Sequence, residues 1–282
     1  MLVCADVVGA WLFPMRILRG ACLAGVLLGA SLTAHAATVV HRYSFAVNGS
    51  DSIGGANATL IGAANVNNGQ LVLPGGTPRT SYASLPLSVG TEIKGFTALT
   101  IEIWFTQNVP QNWSKAFYFG NNAGGFADDG LELCPQKGDG SGSSKVEFLN
   151  NRVADAFGAN NGGEPSPIYD VGNQHYVAAV FDTANDLLSF YSDGLLAGTK
   201  PIFSGELSDL NLTGLFIGAA VGWGDPDFNG SVDEFRIWNG ALSDTEVAAQ
   251  MVAGPNVVVP EPSCCALLAS AAGSLVFRRR RS

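Results

Sequence analysis

Asp225-Pro226-Asp227-Phe228-Asn229-Gly230 places oxygen-bearing side chains at alternate positions before a glycine, and Asp233 falls at the ninth position of the same stretch. Clustered oxygens of this kind replace the hydration shell of Ca2+, and the glycine permits the sharp turn such a loop requires. The twelfth position is Arg236 in place of a bidentate glutamate, so the stretch is not an EF-hand. Two readings stay open: a partial calcium site on Asp225, Asp227, Asn229 and Asp233 completed by carbonyls, or an Asn-Gly turn leading into a strand. Asp128 and Asp129 are a weaker second candidate for a cation. A different chemistry, sugar recognition, calls for an aromatic platform beside amide and carboxylate hydrogen-bonding groups. Trp113 with Asn112 and Gln111, and Trp223 near Asp225, meet that description. Either indole serves equally well as core, because tryptophan is mostly buried on average.

Catalytic groups are scarce. Adjacent carboxylates such as Asp233 and Glu234 point to opposite faces of a strand, and Glu102 has Thr100 and Trp104 as its neighbours on one face, so neither forms an acid–nucleophile pair. The expected role is for one of Asp233 and Glu234 to anchor a strand end while the other faces solvent. No Gly-x-Ser-x-Gly elbow is present, and His41 and His175 each stand at a strand edge, where packing or surface roles are expected. The glycine-rich run from Gly138 to Lys145 lacks the spacing that cradles phosphates and reads as a loop. No catalytic residue is therefore assigned, and the chain is expected not to be an enzyme.

The elements that would carry these residues are short strands between Gly, Asn and Asp turns, the pattern of a β-sandwich. From Ala98 to Phe105 the odd positions Leu99, Ile101, Ile103 and Phe105 alternate with Thr100, Glu102 and Trp104, which predicts a half-buried strand. His175 to Asp182, Leu187 to Tyr191 and Leu195 to Gly198 predict an antiparallel meander. Its second turn, Ser192-Asp193-Gly194, suits the positive φ values of a tight hairpin. Ser231 to Trp238 is another alternating strand, and a short helix follows, capped by Ser243 with Glu246 three residues on.

The stretch from Gln174 to Lys200, the run from Phe228 to Asn239 leading into Ala241-Leu242-Ser243, and an opening strand His41 to Phe45 resemble the laminin G-like branch of the concanavalin A-like fold. That resemblance implies an all-β jelly roll of two stacked antiparallel sheets, one of them often carrying a ligand. Laminarinase-type hydrolases on this fold use a Glu-x-Asp-x-x-Glu strand, which this chain lacks. Members with a disulfide near the end of the domain also differ from it, because Cys134 has no partner within the core.

The two ends of the chain are of another kind. Met15-Arg16-Ile17-Leu18-Arg19, an apolar run from Ala21 to Ala30 and the small-residue site Ala34-His35-Ala36 before Ala37 read as a secretory signal, with Met15 as the expected true start. At the other end Pro260-Glu261-Pro262 precedes an apolar stretch from Cys264 to Phe277 and then Arg278, Arg279, Arg280 and Arg281. Fourteen helical residues span about 21 Å, short of the roughly 30 Å hydrocarbon core. This order resembles the PEP-CTERM sorting signal of bacterial exported proteins. It implies a transient inner-membrane intermediate, removal of the tail by an exosortase, and release to the cell surface or extracellular matrix.

Residues 1–36 are thus expected to be a signal peptide, 37–254 the sandwich, and 255–282 a sorting tail with a short apolar helix. The segment from Ala37 to Val259 carries 22 acidic residues against nine basic ones, a net charge of −13 that repels phosphate backbones and argues against nucleic-acid binding. Signal peptidase and exosortase are the expected processing partners, and a polysaccharide or surface glycan the expected ligand. The alternatives are a structural or adhesive module that contacts other proteins and, last, a polysaccharide-active enzyme. The cofactor expected is none, or Ca2+ at the loop above. Intact-mass analysis of the exported form is expected to give a chain that begins at Ala37 and has lost Arg278 to Arg281; recovery of both uncut termini from cytosol would contradict this reading.

Overall fold

The computed structural model describes residues 36–260, apart from 123, 126 and 159–164. Fifteen strands form within them: β1 (Thr38–Tyr43), β2 (Thr59–Gly62), β3 (Asn65–Asn67), β4 (Gln70–Gly76), β5 (Ser81–Ser84), β6 (Ala98–Val109), β7 (Phe117–Gly120), β8 (Gly130–Cys134), β9 (Lys145–Asn150), β10 (Val153–Phe157), β11 (Gln174–Asp182), β12 (Leu187–Ser192), β13 (Leu195–Pro201), β14 (Gly214–Ile217) and β15 (Asp227–Asn239). Helix α1 (Leu87–Ile93) follows β5, and α2 (Asp244–Ala253) follows β15. One sheet runs β13-β12-β11-β6-β15-β4-β3, with β1 also paired to β15; the other runs β10-β9-β8-β7-β14-β5-β2. All the strand pairs are antiparallel. The fold is the expected all-β jelly-roll sandwich.

Alternation explains the layers. Leu99, Ile101, Ile103 and Phe105 of β6 meet Phe117, Phe119, Leu131, Leu133, Val146 and Phe148 of the second sheet in one core between the sheets. The expected turns appear as well. Asp193 and Gly194 take φ of 49° and 80° between β12 and β13, the left-handed backbone that a two-residue hairpin needs. Ser243 accepts from the Glu246 amide while Glu246 reaches back to the Ser243 backbone, completing the capping box of α2.

The strand at Ala98–Val109 departs from expectation, because it is buried on both faces. Thr100, Glu102 and Trp104 are as inaccessible as their inward neighbours. The outer face of this sheet is a second, smaller core of Trp104, Tyr176, Ala178, Tyr191, Trp238, Leu242 and Val247, closed over by α2 and the segment after it. Charge lies at its centre. Arg236 pairs with Glu234 at 2.7 Å and lies 3.6 Å from Glu102. Its guanidinium stacks over Trp104 at 4.5 Å. Tyr176 and Trp238 donate to the two oxygens of Glu102. Burial raises the Glu102 carboxyl despite Arg236 and those donors. Glu234 also pairs with Arg42 of β1, so it is an interior ion-pair residue and not a solvent-facing one.

Arg236 also fastens the chain beyond α2. It donates to the carbonyls of Pro255 at 2.7 Å and Val257 at 3.0 Å, while the Gln250 side chain both donates to and accepts from the Val259 backbone. Residues 255–259, expected to begin the tail, pack here against the domain. Replacing Arg236 by leucine should cost about 3–5 kcal/mol, the usual penalty for removing one partner of a buried ion pair. Urea unfolding of Arg236→Leu measures it, and a midpoint equal to wild type would contradict the assignment.

Candidate functional site

The outer face of the second sheet carries the other concentration of charge. In β7, β8 and β9 the inward residues fill the core, while Tyr118, Glu132, Cys134, Lys145 and Glu147 point the other way. Register places Glu132 directly opposite both Tyr118 and Glu147. Two carboxylates facing each other across strands repel, and two lysines relieve the repulsion. Lys145 Nζ lies 2.7 Å from Glu132 and 3.0 Å from Glu147. Lys115 Nζ lies 3.1 Å from Glu132 and 3.7 Å from Asp225.

Protonation follows from this wiring. Burial opposes ionisation of Glu132, but the Lys115 and Lys145 ammonium groups outweigh it and hold the carboxyl at about 2. Glu147 moves the other way, raised by its own burial and then by the Glu132 charge. Asp225 is also raised, mainly by burial. Lys145 is raised because Glu132 and Glu147 outweigh its desolvation. The floor therefore sets lysine ammonium donors beside the carboxyl groups of Glu147 and Asp225. Cys134 lies under this cluster, fully buried, its thiol pushed up to about 11 by desolvation; it is not a nucleophile.

Two tryptophans wall the floor. Trp113, Lys115, Lys145, Glu147, Trp223 and Asp225 line a single open cleft of about 260 Å³. Both lysine ammonium groups lie within 5.9 Å of the Trp113 ring, a cation–π distance. Trp113 adopts φ 67°, an uncommon conformation for a bulky residue. Its amide donates to the Gln136 carbonyl at 2.9 Å. Its indole lies so close over Gly138 that a Cβ there would come within 2.0 Å of Nε1. Trp223 is set by a relay: Asp227 accepts from the amides of Arg79, Thr80 and Ser81, and the Arg79 side chain then grips the carbonyls of Val221 and Trp223. Both indoles stay partly exposed.

The side chains of the partial calcium reading are each taken up by other partners. Asp227 begins β15 with no exposed surface, its carboxylate spent on three backbone amides. Asp225 turns to Lys115, Asn229 donates to the Pro74 carbonyl, and Asp233 accepts from Gln70 and Gln174. Among the described residues no group of three or more His, Cys, Asp or Glu converges to hold a metal. Asp129, the alternative, accepts from the Asn151 and Asn211 amides, and Asp128 pairs with Arg152. Asn112 bonds Gln136 on the exposed side and does not line the cleft. His41 joins Asp51 at 2.7 Å and Glu92 at 3.2 Å, tying β1 to the loop after it and to α1. Sequence reasoning singled out Trp113, Trp223 and Asp225, which meet, but missed Lys115, Glu132, Lys145 and Glu147. The signal it passed over was the charge inside apolar strands: Leu131-Glu132-Leu133 and Lys145-Val146-Glu147. Of the processing residues, Ala36 is exposed, Ala37 is buried against the outer core, and Pro260 is exposed. Ala34, Glu261, Pro262 and Arg278 to Arg281 lie outside the described residues, as does the apolar stretch after Pro262.

The sequence profile of the concanavalin A-like lectin/glucanases superfamily matches residues 75–248, well over half of the chain. The chain belongs to that superfamily. The match includes β5 to β15 and every residue lining the cleft. Solved structures with this concanavalin A-like fold include domain 4 of AbnA, a GH43 extracellular arabinanase from Geobacillus stearothermophilus, in complex with arabinotriose. It is 20% identical, with TM-score 0.53, over 76% of this chain and 98% of that one. The CBM40 of the Ruminococcus gnavus IT-sialidase, bound to α2,6 sialyllactose, is 18% identical, with TM-score 0.51, over 64% and 95%. The binding domain of botulinum neurotoxin DC, in complex with rat synaptotagmin II, is 12% identical, with TM-score 0.54, over 76% and 51%. At these identities the likeness is one of fold. A comparison with curated proteins finds no match.

Because Glu132 titrates far below the ordinary glutamate value of 4.5, its ionised form stabilises the fold above that value, and the contribution is lost as pH falls toward 2. Glu132→Gln should therefore lose about 3–5 kcal/mol at neutral pH, with the gap to wild type closing as the pH is lowered. Denaturant titrations at about pH 7, 5 and 3 measure the gap; a constant difference would refute the role given to Glu132.

Proposed function

We propose that this superfamily member is a non-catalytic glycan-binding module of a bacterial cell surface or extracellular matrix. The observation that carries the reading is that Trp113 and Trp223, far apart in sequence, line one cleft over a floor of ammonium and carboxylate groups. Sugar rings present C–H faces that pack on indoles and hydroxyls that both donate and accept, and this cleft offers a partner for each. The solved structures of like fold in complex with arabinotriose and sialyllactose support a carbohydrate ligand in kind, without naming it.

The module is read as non-catalytic because of how its carboxylates are committed. Glu132 and Glu147 do face each other, a pair that no single-strand motif reveals. Glu132 is 1% exposed and clasped by both lysines, so its oxygens have no path to an anomeric carbon. A retaining glycosidase needs both carboxylates to reach the scissile bond.

Export rests on the two ends of the sequence, with signal peptidase and exosortase as transient partners and the membrane met only through the C-terminal segment. Ala37, the residue expected to follow signal cleavage, packs into the outer core, in keeping with a mature domain that begins there.

A glycan array on the Ala37 to Val259 segment, followed by calorimetry on the sugars retained, tests the reading. Trp113→Ala and Trp223→Ala should each weaken binding by about 2 kcal/mol, roughly thirty-fold, the size of an aromatic hot spot. Unchanged affinity in both variants would sink the proposal. Incubation of the bound polysaccharide should release no new reducing ends; release abolished by Glu147→Gln would show an enzyme instead.

A further inference from the structure

Trp223 borders two hollows. A second hollow of about 130 Å³ is lined by Ala127, Leu149, Arg152 and that same tryptophan. Behind it lies a small apolar cluster of Tyr118, Ala127, Leu149 and Val221, against which Trp223 packs. Its rim is the tight turn between β9 and β10, where Asn151 and Arg152 take φ of 48° and 65°. That turn is pinned at both residues: the Asn151 amide donates to Asp129 at 2.8 Å, and the Arg152 amide to the Asp128 carbonyl at 2.8 Å. The Arg152 side chain pairs with Asp128 through Nε. A guanidinium has five N–H donors, and this one is 63% exposed, so donors remain for a ligand. The second hollow thus shares the indole wall of Trp223 with the first but has an apolar base, with one charged group at its lip.

We infer that Trp223 is shared by two adjacent sugar subsites, so that the ligand is a neutral oligosaccharide of at least two units running from Trp113 past Trp223 to Arg152. This rests on the glycan-binding reading above. Two features favour an uncharged chain. The ammonium groups of the first subsite are already matched by Glu132, Glu147 and Asp225, and Arg152 is matched by Asp128. The net charge of −13 over Ala37 to Val259 also repels a polyanion at long range. A single sugar fills one hollow, whereas a chain engages both without a second loss of translational freedom.

Calorimetry with neutral saccharides of one to five units, drawn from the glucan, mannan, galactan, xylan and arabinan series, tests the inference on wild type and Arg152→Ala. The expected result is that, for the series that binds, affinity rises at least tenfold between one and three units, and that Arg152→Ala loses at least fivefold on the three-unit ligand. Arg152 lies outside the two cores, and equal melting temperatures establish that the variant is folded. Equal affinity for one and three units overturns the two-subsite inference while leaving glycan binding intact. A gain with length that persists undiminished in Arg152→Ala overturns it as well. If no neutral saccharide of any length binds, this inference falls; the glycan-binding reading falls with it only when the glycan array retains no charged sugar either.

Discussion

Two ammonium groups share the outer face of the second sheet because Glu132 lies between them. Without that carboxylate, Lys115 and Lys145 would be buried like charges within reach of one another, and burial of unpaired charge is among the costliest arrangements in a protein. With it, the lysines become fixed donors. Their positions settle the rest: Lys145 draws in Glu147, Lys115 faces Asp225, and both approach the Trp113 ring. The polar floor of the cleft is therefore a consequence of one residue that is itself almost wholly buried.

The two sheets solve the same problem differently. Each has an outer face with charge at its centre, which an antiparallel sheet would ordinarily leave to water. On the first sheet, Arg236, Glu102 and Glu234 are closed over by α2 and residues 255–259, and the network serves packing alone. On the second sheet no helix among the described residues covers the charges, and two tryptophans stand at the edges of an opening. One ionic cluster is structural and the other is offered as a site because, among the described residues, only the second has an uncovered floor.

Much of this was legible in the sequence. Period-two alternation located β6, β11, β12 and β15, and Asp193-Gly194 and Ser243-x-x-Glu246 marked a turn and a helix start through their own backbone requirements. Trp113 and Trp223 stood out as aromatics beside polar residues, although nothing local showed that they meet. The ionic floor stayed hidden because Glu132, Glu147 and Lys115 come together through cross-strand register, which depends on how three strands align. The Asp225 to Asp233 stretch left two readings open for a related reason. Oxygen-rich spacing before a glycine suits a cation loop, but it equally suits a strand start whose first carboxylate captures the amides of a distant turn at Arg79 to Ser81.

The strap at the C-terminal end has a consequence for geometry outside the domain. Arg236 and Gln250 hold the chain down as far as Val259, and only Pro260 to Ser263 separate that point from the apolar run that starts at Cys264. Four residues reach at most about 14 Å when fully drawn out. On the proposed reading, in which that run enters a bilayer, the sandwich would have almost no leash: it would ride close above the lipid headgroups, able to swivel but not to roam. In that same reading, severing the tail would turn a tethered sentinel into a free diffuser in a single step.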